Sequence, residues 1–301
     1  MKIPKKVLTL HDICTIGRCS TVTAATVLAS CGVQPCPIVS TTLTSQVDGF
    51  DQVFSIDTVA MIEESIRQYT ALGLTFDGIY TGYLANAQQI GSVVKLIDAF
   101  RTPENLVVID PVMGDNGELY PTFTQEMVEG MKQLIQKADI ILPNVTEAKL
   151  LVGLSPRQPL TTAQAVELIR TLSSQSGASV VITGANLPTH PQMEPPHHIK
   201  TLCCDRETLQ VHVVRHPVLQ AHYPGSGDLF GSVLVASLQQ GLSLPQACRR
   251  ASGFVYYLLG LCQNLNQDWR LGIPYEPYLH TLYDDSFLTP QVQLMEYKEE
   301  S

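Results

Sequence analysis

Residues 224–234 read PGSGDLFGSVL, a glycine-rich turn that leads directly into an apolar segment. Apolar residues follow the turn at helical spacing, at Leu229, Phe230, Val233 and Leu234. Backbone N–H groups at the start of a helix lack partners within the helix, and the helix dipole adds partial positive charge there. Gly225 and Gly227, on either side of Ser226, let the backbone approach a ligand closely. The stretch therefore predicts a cradle of N–H groups for an anion.

Asp228 follows this cradle, where its negative charge would repel an anion. An aspartate fits there if it takes a proton from a hydroxyl group while the N–H groups stabilise charge on a phosphoryl group. The alternative is an ordinary loop in which Asp228 caps the next helix. These residues alone leave both interpretations open.

The composition of the chain argues against several classes of function. Its 301 residues are 45% hydrophobic and 16% charged, which suits an α/β protein with a sizeable core. The net charge is −9 without a basic run, so we expect no nucleic acid and no anionic membrane as partner. No apolar run approaches the roughly 20 residues that span a bilayer. The first residues predict a strand rather than a signal peptide.

The eight cysteines form no C-x-x-C pair, which favours reduced thiols in the cytoplasm over zinc ligands.

Buried strands and helices alternate along the chain. The runs LVVI at 106–109 and SVVIT at 179–183 are typical of strands buried on both faces of a parallel sheet. The alternation predicts an α/β fold with a doubly wound, mostly parallel sheet and helices on both faces. We expect one domain over residues 1–301, with a tail from about residue 263 packed on its surface.

Three local expectations refine this picture. Residues 55–57 are expected to start a long helix, which Ser55 or Asp57 can cap. Residues 41–51 are polar and contain a glycine, so they predict a loop or flap at the site. Residues 201–214 predict a β-hairpin.

The carboxyl ends of the predicted strands carry most of the candidate site residues, because ligands of open α/β sheets lie beyond these ends. The positions concerned are Asp12, Gly82, Tyr83, Asp110, Asn144, Thr183, Gly184 and the turn at 225–228. Acidic groups and one anion cradle at the same edge of a sheet are the parts that phosphoryl transfer requires. No G-x-x-x-x-G-K-[ST] stretch is present, so the site is not of the Walker type.

Two of these strand ends carry paired polar groups. Asp110 and Asp115 are joined by a short loop with proline and glycine, and two acids there suit a hydrated Mg²⁺. The alternative is a turn in which Asp115 bonds locally. Asn144 and Glu147 could orient Mg²⁺ through its waters, but the same spacing is that of a capping box, which we slightly prefer on local grounds.

The order of four motifs resembles the ribokinase superfamily, and within it the pyridoxal/pyridoxamine kinases. The motifs are VVIDPVMGDNGELY, PNVTEAKLL, VVITG and PGSGDLFGSVL, and two earlier stretches, HDICTIGRCS and TGYLANAQQI, add to the likeness. The resemblance covers nearly the whole chain. It implies a ribokinase-like fold and ATP-dependent phosphorylation of the hydroxymethyl group of pyridoxal, pyridoxamine or pyridoxine.

The resemblance also implies roles for individual residues. Asp228 would be the general base, and the amides of Gly225, Ser226 and Gly227 would form the anion hole. Asp110 and Glu147 would act around Mg²⁺, with Asp115, Asn144, Thr183 and Gly184 beside ATP. On the acceptor side, the implied substrate contacts are Asp12, Gln46, Tyr83 and Asp228. A monovalent cation (K⁺ or Na⁺) and a homodimer are implied as well.

Four positions depart from the pattern of the relatives. Gln46-Val47 stands where they often carry His-Thr, Cys14 replaces a small hydroxyl residue, and Leu142 replaces a threonine before Pro-Asn. Gln46 can still donate and accept hydrogen bonds, whereas Val47 cannot. Two alternatives to a B6 kinase therefore stay open, namely a hydroxymethylpyrimidine kinase and a nucleotide-binding relative without turnover.

Overall fold

The computed structural model describes residues 3–187, 197–219, 221, 223–263 and 265–298. Most of these residues belong to one mixed sheet and the helices that cover it. The strands are β1 (Lys6–Cys14), β2 (Gln34–Leu43), β3 (Ser55–Asp57), β4 (Gly78–Thr81), β5 (Leu106–Ile109), β6 (Gly114–Asp115), β7 (Glu118–Leu119), β8 (Ile140–Ile141), β9 (Ser179–Ala185), β10 (His198–Cys204), β11 (Val211–Pro217) and β12 (Gln293–Glu296). The α-helices are α1 (Ser20–Ser30), α2 (Val59–Ala71), α3 (Ala87–Phe100), α4 (Gln125–Leu134), α5 (Val145–Leu151), α6 (Thr162–Ser176), α7 (Ser226–Gln239) and α8 (Leu244–Cys262).

Ten of these strands form the main sheet, in the order β12-β11-β10-β9-β8-β5-β4-β1-β2-β3. The six from β9 to β2 run parallel, and the outer strands on either side join antiparallel. The remaining two, β6 and β7, form a small separate hairpin. Helices α2 to α6 cover one face with one apolar core, and α1, α7 and α8 cover the other face with a second core. The predicted doubly wound, mostly parallel α/β fold is confirmed.

The edges of the sheet differ from the prediction in two places. Residues 55–57 form strand β3, which pairs with β2, and helix α2 begins at Val59. Asp57 still bonds to the start of that helix, because its Oδ1 accepts the Val59 N–H at 2.8 Å. At the other edge, β10 and β11 form the predicted hairpin. Residues 185–200 are rich in Pro, His and Asn, which predicts a loop. Residues 188–196 lie outside the described residues, and residues 198–200 belong to β10.

The C-terminal tail contributes to the core, whereas the sequence predicted a surface segment. Tyr275 and Phe287 are each 1% exposed in the core beneath α7 and α8. Arg250 of α8 is buried and donates to the Asp285 carboxylate and to the Leu282 carbonyl oxygen. The tail then adds β12 to the sheet. Among the described residues, none of the helices combines the length and the apolar character needed to cross a membrane.

Candidate active site

A cavity of about 1180 Å³ lies at the carboxyl ends of the parallel strands. All of the predicted site residues except Gly82 line it, namely Asp12, Gln46, Tyr83, Asp110, Asp115, Asn144, Glu147, Thr183, Gly184, Gly225, Ser226, Gly227 and Asp228. Parallel strands bring their carboxyl ends to one edge of the sheet, so residues far apart in sequence meet there. The structure thus brings together the positions that the motifs singled out.

The glycine turn opens α7 toward this cavity. Gly225 is the residue that precedes the helix, with φ 78° and ψ 3°, a left-handed conformation that side chains disfavour. A Cβ at this position would lie 2.1 Å from the Arg18 carbonyl oxygen, so close packing also requires glycine. The first N–H groups of α7 are therefore available to an anion.

The Asp228 carboxylate is not needed to cap its own helix, and it meets the start of another one. The Ser20 N–H, at the first residue of α1, lies close enough to this carboxylate to lower its pKa. Ser20 has φ 51°, a left-handed conformation that a serine adopts at some cost in strain. Nothing in the local sequence signals this contact, since it joins two helix starts that are about two hundred residues apart. Ser20 is therefore a site residue that the sequence reasoning missed.

Burial sets the protonation of Asp228. It raises the pKa of this carboxyl to about 7, the Ser20 N–H opposes the rise, and the charge of Asp12 adds to it. A carboxylate with a pKa near neutral pH can both accept and release a proton in that range. The environment therefore suits a general base better than a cap.

Three acids of the cavity act on one another. Burial raises the pKa of Asp110 well above its usual range, and the charges of Glu147 and Asp228 raise it further. Burial also raises the pKa of Glu147 to about 8, although backbone N–H groups oppose that rise. Carboxylates held this close are stabilised in their charged form by a bound cation.

The Asn144–Glu147 pair forms the capping box that was weighed as the local alternative. The Asn144 side chain accepts the Glu147 N–H, and Glu147 Oε2 accepts the Asn144 N–H at 2.8 Å. Glu147 Oε1 accepts the Met113 N–H at 3.0 Å. Both carboxylate oxygens are therefore engaged, so contact with a metal ion through a water molecule fits Glu147 better than direct ligation.

Asp110 is the acid that fits a metal ion more directly. Within the described part of the chain its carboxylate accepts no side-chain or backbone hydrogen bond, and it faces the charges of Glu147 and Asp228. The described residues contain no group of three or more His, Cys, Asp or Glu side chains that could hold a metal ion by themselves. Mg²⁺ usually keeps several waters and takes one or two carboxylates plus substrate phosphates, so the donor set fits it.

The wall beyond these acids is formed by backbone turns. Asp115 is exposed and accepts the Asn116 N–H at 2.8 Å, which is the local turn considered from the sequence. Asn144 Nδ2 donates to the Gly114 carbonyl oxygen at 2.8 Å, and Asn144 also bridges to Thr183 of β9. Gly184 has φ 61°. Asn144 thus fastens the acidic loop to the end of β9.

The opposite end of the cavity carries the residues expected to meet the acceptor. Asp12 is 4% exposed, and the Cys14 thiol donates to its Oδ2 at 3.5 Å. Tyr83 lies half-buried with its hydroxyl 3.5 Å from Thr122 Oγ1. The Gln46 amide bonds to backbone groups of Asp48 and to the Arg270 carbonyl oxygen, so it holds its own loop together.

A polar layer under the site also escaped the sequence reasoning. Tyr80 is fully buried, and its hydroxyl would lie 2.3 Å from a Cβ on Gly231 of α7. Burial and the charges of Asp110 and Asp228 raise its pKa well above the usual range. The His11 ring meets the Tyr80 ring edge to face, with centroids 4.4 Å apart, and burial lowers the pKa of His11 to about 3, so this imidazole is neutral. Both rings read as ordinary core residues in the sequence.

The fold and the arrangement of the cavity define the chain as a ribokinase-like α/β protein. Residues 25–270 match the family model for phosphomethylpyrimidine kinase, and the chain belongs to this family. The match spans most of the chain and includes the acidic loop, the capping box and the glycine turn.

Curated relatives carry two kinds of names. The pyridoxine/pyridoxal/pyridoxamine kinase of Bordetella avium is 32% identical over 200 residues, which cover 65% of this chain and 64% of the relative. The hydroxymethylpyrimidine/phosphomethylpyrimidine kinase of Bacillus subtilis is 31% identical over 197 residues, which cover 64% of this chain and 68% of the relative. The aligned regions span 62–64% of the length of two curated kinase relatives.

A solved structure covers the chain more fully. A candidate phosphomethylpyrimidine kinase of Bacteroides thetaiotaomicron, crystallised with pyridoxal, has a TM-score of 0.89 and 35% identity. The likeness covers 98% of this chain and 100% of that chain.

The pKa of Asp228 predicts how stability depends on pH. The folded protein holds the proton of this carboxyl up to about pH 7, whereas the unfolded chain releases it near its ordinary pKa of 3.8. Stability is therefore lost as the pH rises from about 4 to about 7. In Asp228→Asn this loss is absent, so its stability relative to the wild type should grow by about 2–3 kcal/mol from pH 5 to pH 8.

Urea unfolding in EDTA at both pH values measures this difference. Asp98→Asn is the control, because it removes a carboxylate that is 54% exposed and far less buried than Asp228. An equal effect of the two substitutions at both pH values would contradict the assigned burial of Asp228.

Proposed function

We propose that this chain is an ATP-dependent kinase that phosphorylates the hydroxymethyl group of a vitamin B6 form, giving the 5′-phosphate. The observation that carries the proposal is the buried Asp228 carboxylate beside the open N-terminus of α7, facing a second acid, Asp110. The chain acts as one kinase domain over its length. The acceptor is pyridoxal, pyridoxamine or pyridoxine, as the names of the relatives and the pyridoxal-bound Bacteroides protein support.

Each residue of the cavity has a part in this reaction. Asp228 takes the proton of the acceptor hydroxyl as its oxygen attacks the γ-phosphorus of ATP, and the bond to the leaving ADP oxygen breaks. The N–H groups of Gly225, Ser226 and Gly227 stabilise the charge on the transferring phosphoryl group. Asp110 would hold Mg²⁺ directly and Glu147 would hold it through water, and the bound ion would neutralise charge on the phosphates.

The other site residues bind and orient the two substrates. Asp115, Asn144, Thr183 and Gly184 line the ATP side, while Asp12, Gln46 and Tyr83 line the acceptor side. We also propose a monovalent cation, K⁺ or Na⁺, near the phosphates, as the resemblance implies. A cytoplasmic location is supported by the free thiols of Cys14, Cys19, Cys31, Cys36, Cys203, Cys204, Cys248 and Cys262.

A hydroxymethylpyrimidine kinase is the second candidate, because the family description and the Bacillus relative favour it. Both acceptors present a hydroxymethyl group on a nitrogen heterocycle, so the same base and anion hole serve either. The two functions differ in the lining of the acceptor pocket, where Gln46 and Val47 depart from the B6 kinases. Cys14 also departs from them, and its buried thiol donates to Asp12 of that lining.

A substrate panel tests the activity. Purified protein with ATP and Mg²⁺ should phosphorylate pyridoxal or pyridoxamine with a kcat/KM at least about tenfold above that for hydroxymethylpyrimidine. In Asp228→Asn, kcat should fall at least about a hundredfold, the usual scale for a general base, while ATP binding is largely kept. A tenfold preference for the pyrimidine would select the second candidate, and turnover that survives the substitution would remove Asp228 as base.

The metal assignment has its own test. Asp110→Ala should raise the Mg²⁺ concentration needed for half-maximal rate by about tenfold or more, because an open carboxylate ligand is lost. The KM for the B6 form should change much less. Asp98→Ala, which removes an exposed acid paired with Lys137, is the control. An unaltered Mg²⁺ dependence in Asp110→Ala would defeat the assignment.

We further propose a homodimer through the edge strand β3. Phe54, Ile56 and Met61 are 67%, 55% and 59% exposed at this edge, which is unusual for apolar side chains so close together in sequence. Light scattering should give twice the 33.0 kDa of one chain. Ile56→Lys should give the monomer, whereas Leu72→Lys, at a residue that is 64% exposed, should not. A monomeric wild type would refute the dimer.

A further inference from the structure

The loop at residues 44–53, which we call the flap, is held by a second loop from the C-terminal tail. The second loop, residues 268–272, is called the latch. Gln46, Val47 and Asp48 of the flap line the acceptor end of the cavity. Neither loop contributes to α1 through α8, so their contact does not follow from the main packing of the fold.

Arg270 makes the central contacts between the two loops. Its guanidinium group lies over the Phe50 ring, 4.9 Å from the centroid, and its Nη1 donates to the Gly49 carbonyl oxygen at 3.3 Å. In the reverse direction, Gln46 Nε2 donates to the Arg270 carbonyl oxygen at 3.3 Å. Asp268 fixes the guanidinium group, because Nε donates to Oδ1 at 2.9 Å and to Oδ2 at 3.1 Å, and Nη2 donates to Oδ2 at 2.7 Å.

Trp269 adds a close packing contact. A Cβ on Gly49 would lie 2.8 Å from Cη2 of the Trp269 ring, so the ring lies directly against the flap backbone. Gly49 has φ 78°, which a side chain would also disfavour. The flap glycine therefore serves both the turn of the flap and the approach of the ring.

The other end of the latch rests on the glycine turn of the site. Gly272 packs so tightly that a Cβ there would lie 2.9 Å from the Arg18 carbonyl oxygen and 3.2 Å from the Pro224 carbonyl oxygen. The Arg18 N–H donates to the Leu271 carbonyl oxygen at 3.0 Å. Because Gly225 packs on that same Arg18 carbonyl, the latch connects the flap to the turn of the anion hole.

We propose that Arg270 and Trp269 are positioning residues that hold the flap closed over the acceptor. This proposal rests on the proposed kinase function. Neither side chain lines the cavity, so both act through the flap. The Gln46 amide takes part in the same closure, since its bonds go to Asp48 and Arg270. The latch then links the flap over the acceptor to the glycine turn of the anion hole.

Steady-state kinetics separate this role from a general loss of structure. Arg270→Ala should raise the KM for pyridoxal about tenfold, the scale expected for losing a cation–π contact and a hydrogen bond. The KM for ATP should stay within about twofold. Phe50→Leu, which removes the ring but no charge, should act in the same direction with a smaller effect. Arg67→Ala, which breaks an exposed ion pair with Glu64, is the matched control.

Fluorescence reports the flap without any turnover, because Trp269 is the sole tryptophan of the chain. In ligand-free protein, acrylamide should quench Arg270→Ala and Phe50→Leu more strongly than the wild type or Arg67→Ala. Unchanged quenching in both variants, or equal changes in both KM values, would overturn the proposal. If quenching rises but the wild type phosphorylates no B6 form or pyrimidine, the latch stands and the proposed function fails.

Discussion

The site depends on keeping a carboxylate buried beside other acids. Burial and the charge of Asp12 raise the pKa of Asp228 to about 7, against the Ser20 N–H that lowers it. Asp110 and Glu147 are buried in the same cavity. A buried charge is costly unless it is paired or hydrogen-bonded. Backbone N–H groups oppose this cost at Asp228 and Glu147. Asp110 accepts no hydrogen bond among the described residues, so it is the acid left to interact with a cation.

Glycine makes this arrangement possible at the points where chains come closest. Gly225 lets the start of α7 lie against the Arg18 carbonyl oxygen, and Gly231 leaves room for the Tyr80 hydroxyl. A side chain at either position would push α7 away from β4 or from the loop before α1. The distance between Asp228 and the strand ends therefore depends on glycine at these two positions as much as on side-chain contacts. This requirement explains why the sequence motif is rich in glycine beyond the needs of the anion hole.

The sequence predicted the central fold and the location of the site better than their edges. Buried apolar strands and the polar residues after them carry a local signal, and parallel topology converts it into one cavity. Residues 55–57 carried the opposite signal, because helical spacing from Val59 onward extends back to them. Their strand arises from pairing with β2, at Thr41 and Asp57 for example, which no local pattern encodes. Ser20 and the latch were missed for the same reason, since their partners lie far away in sequence.

The tail shows a related limit. Its polar composition predicted a surface position, yet Tyr275 and Phe287 are buried. Average composition does not reveal which of a few apolar residues will be buried by packing. Here α8 buries Phe287, because the Phe254 ring packs edge to face against it with centroids 5.1 Å apart. The tail thereby becomes part of the structure that presents the latch to the flap.

Glu147 shows that a local explanation and a functional one need not compete. A capping box accounts for its spacing from Asn144, and both of its oxygens accept backbone N–H groups. A glutamate that served only as a cap would gain nothing from being 3% exposed among other acids, because burial raises its pKa to about 8 and thus disfavours its charged form. The cap fixes where the carboxylate lies. Because the carboxylate is buried beside Asp110, its charge raises the pKa of Asp110. The same residue can therefore stabilise α5 and orient a hydrated cation, provided that it acts through water.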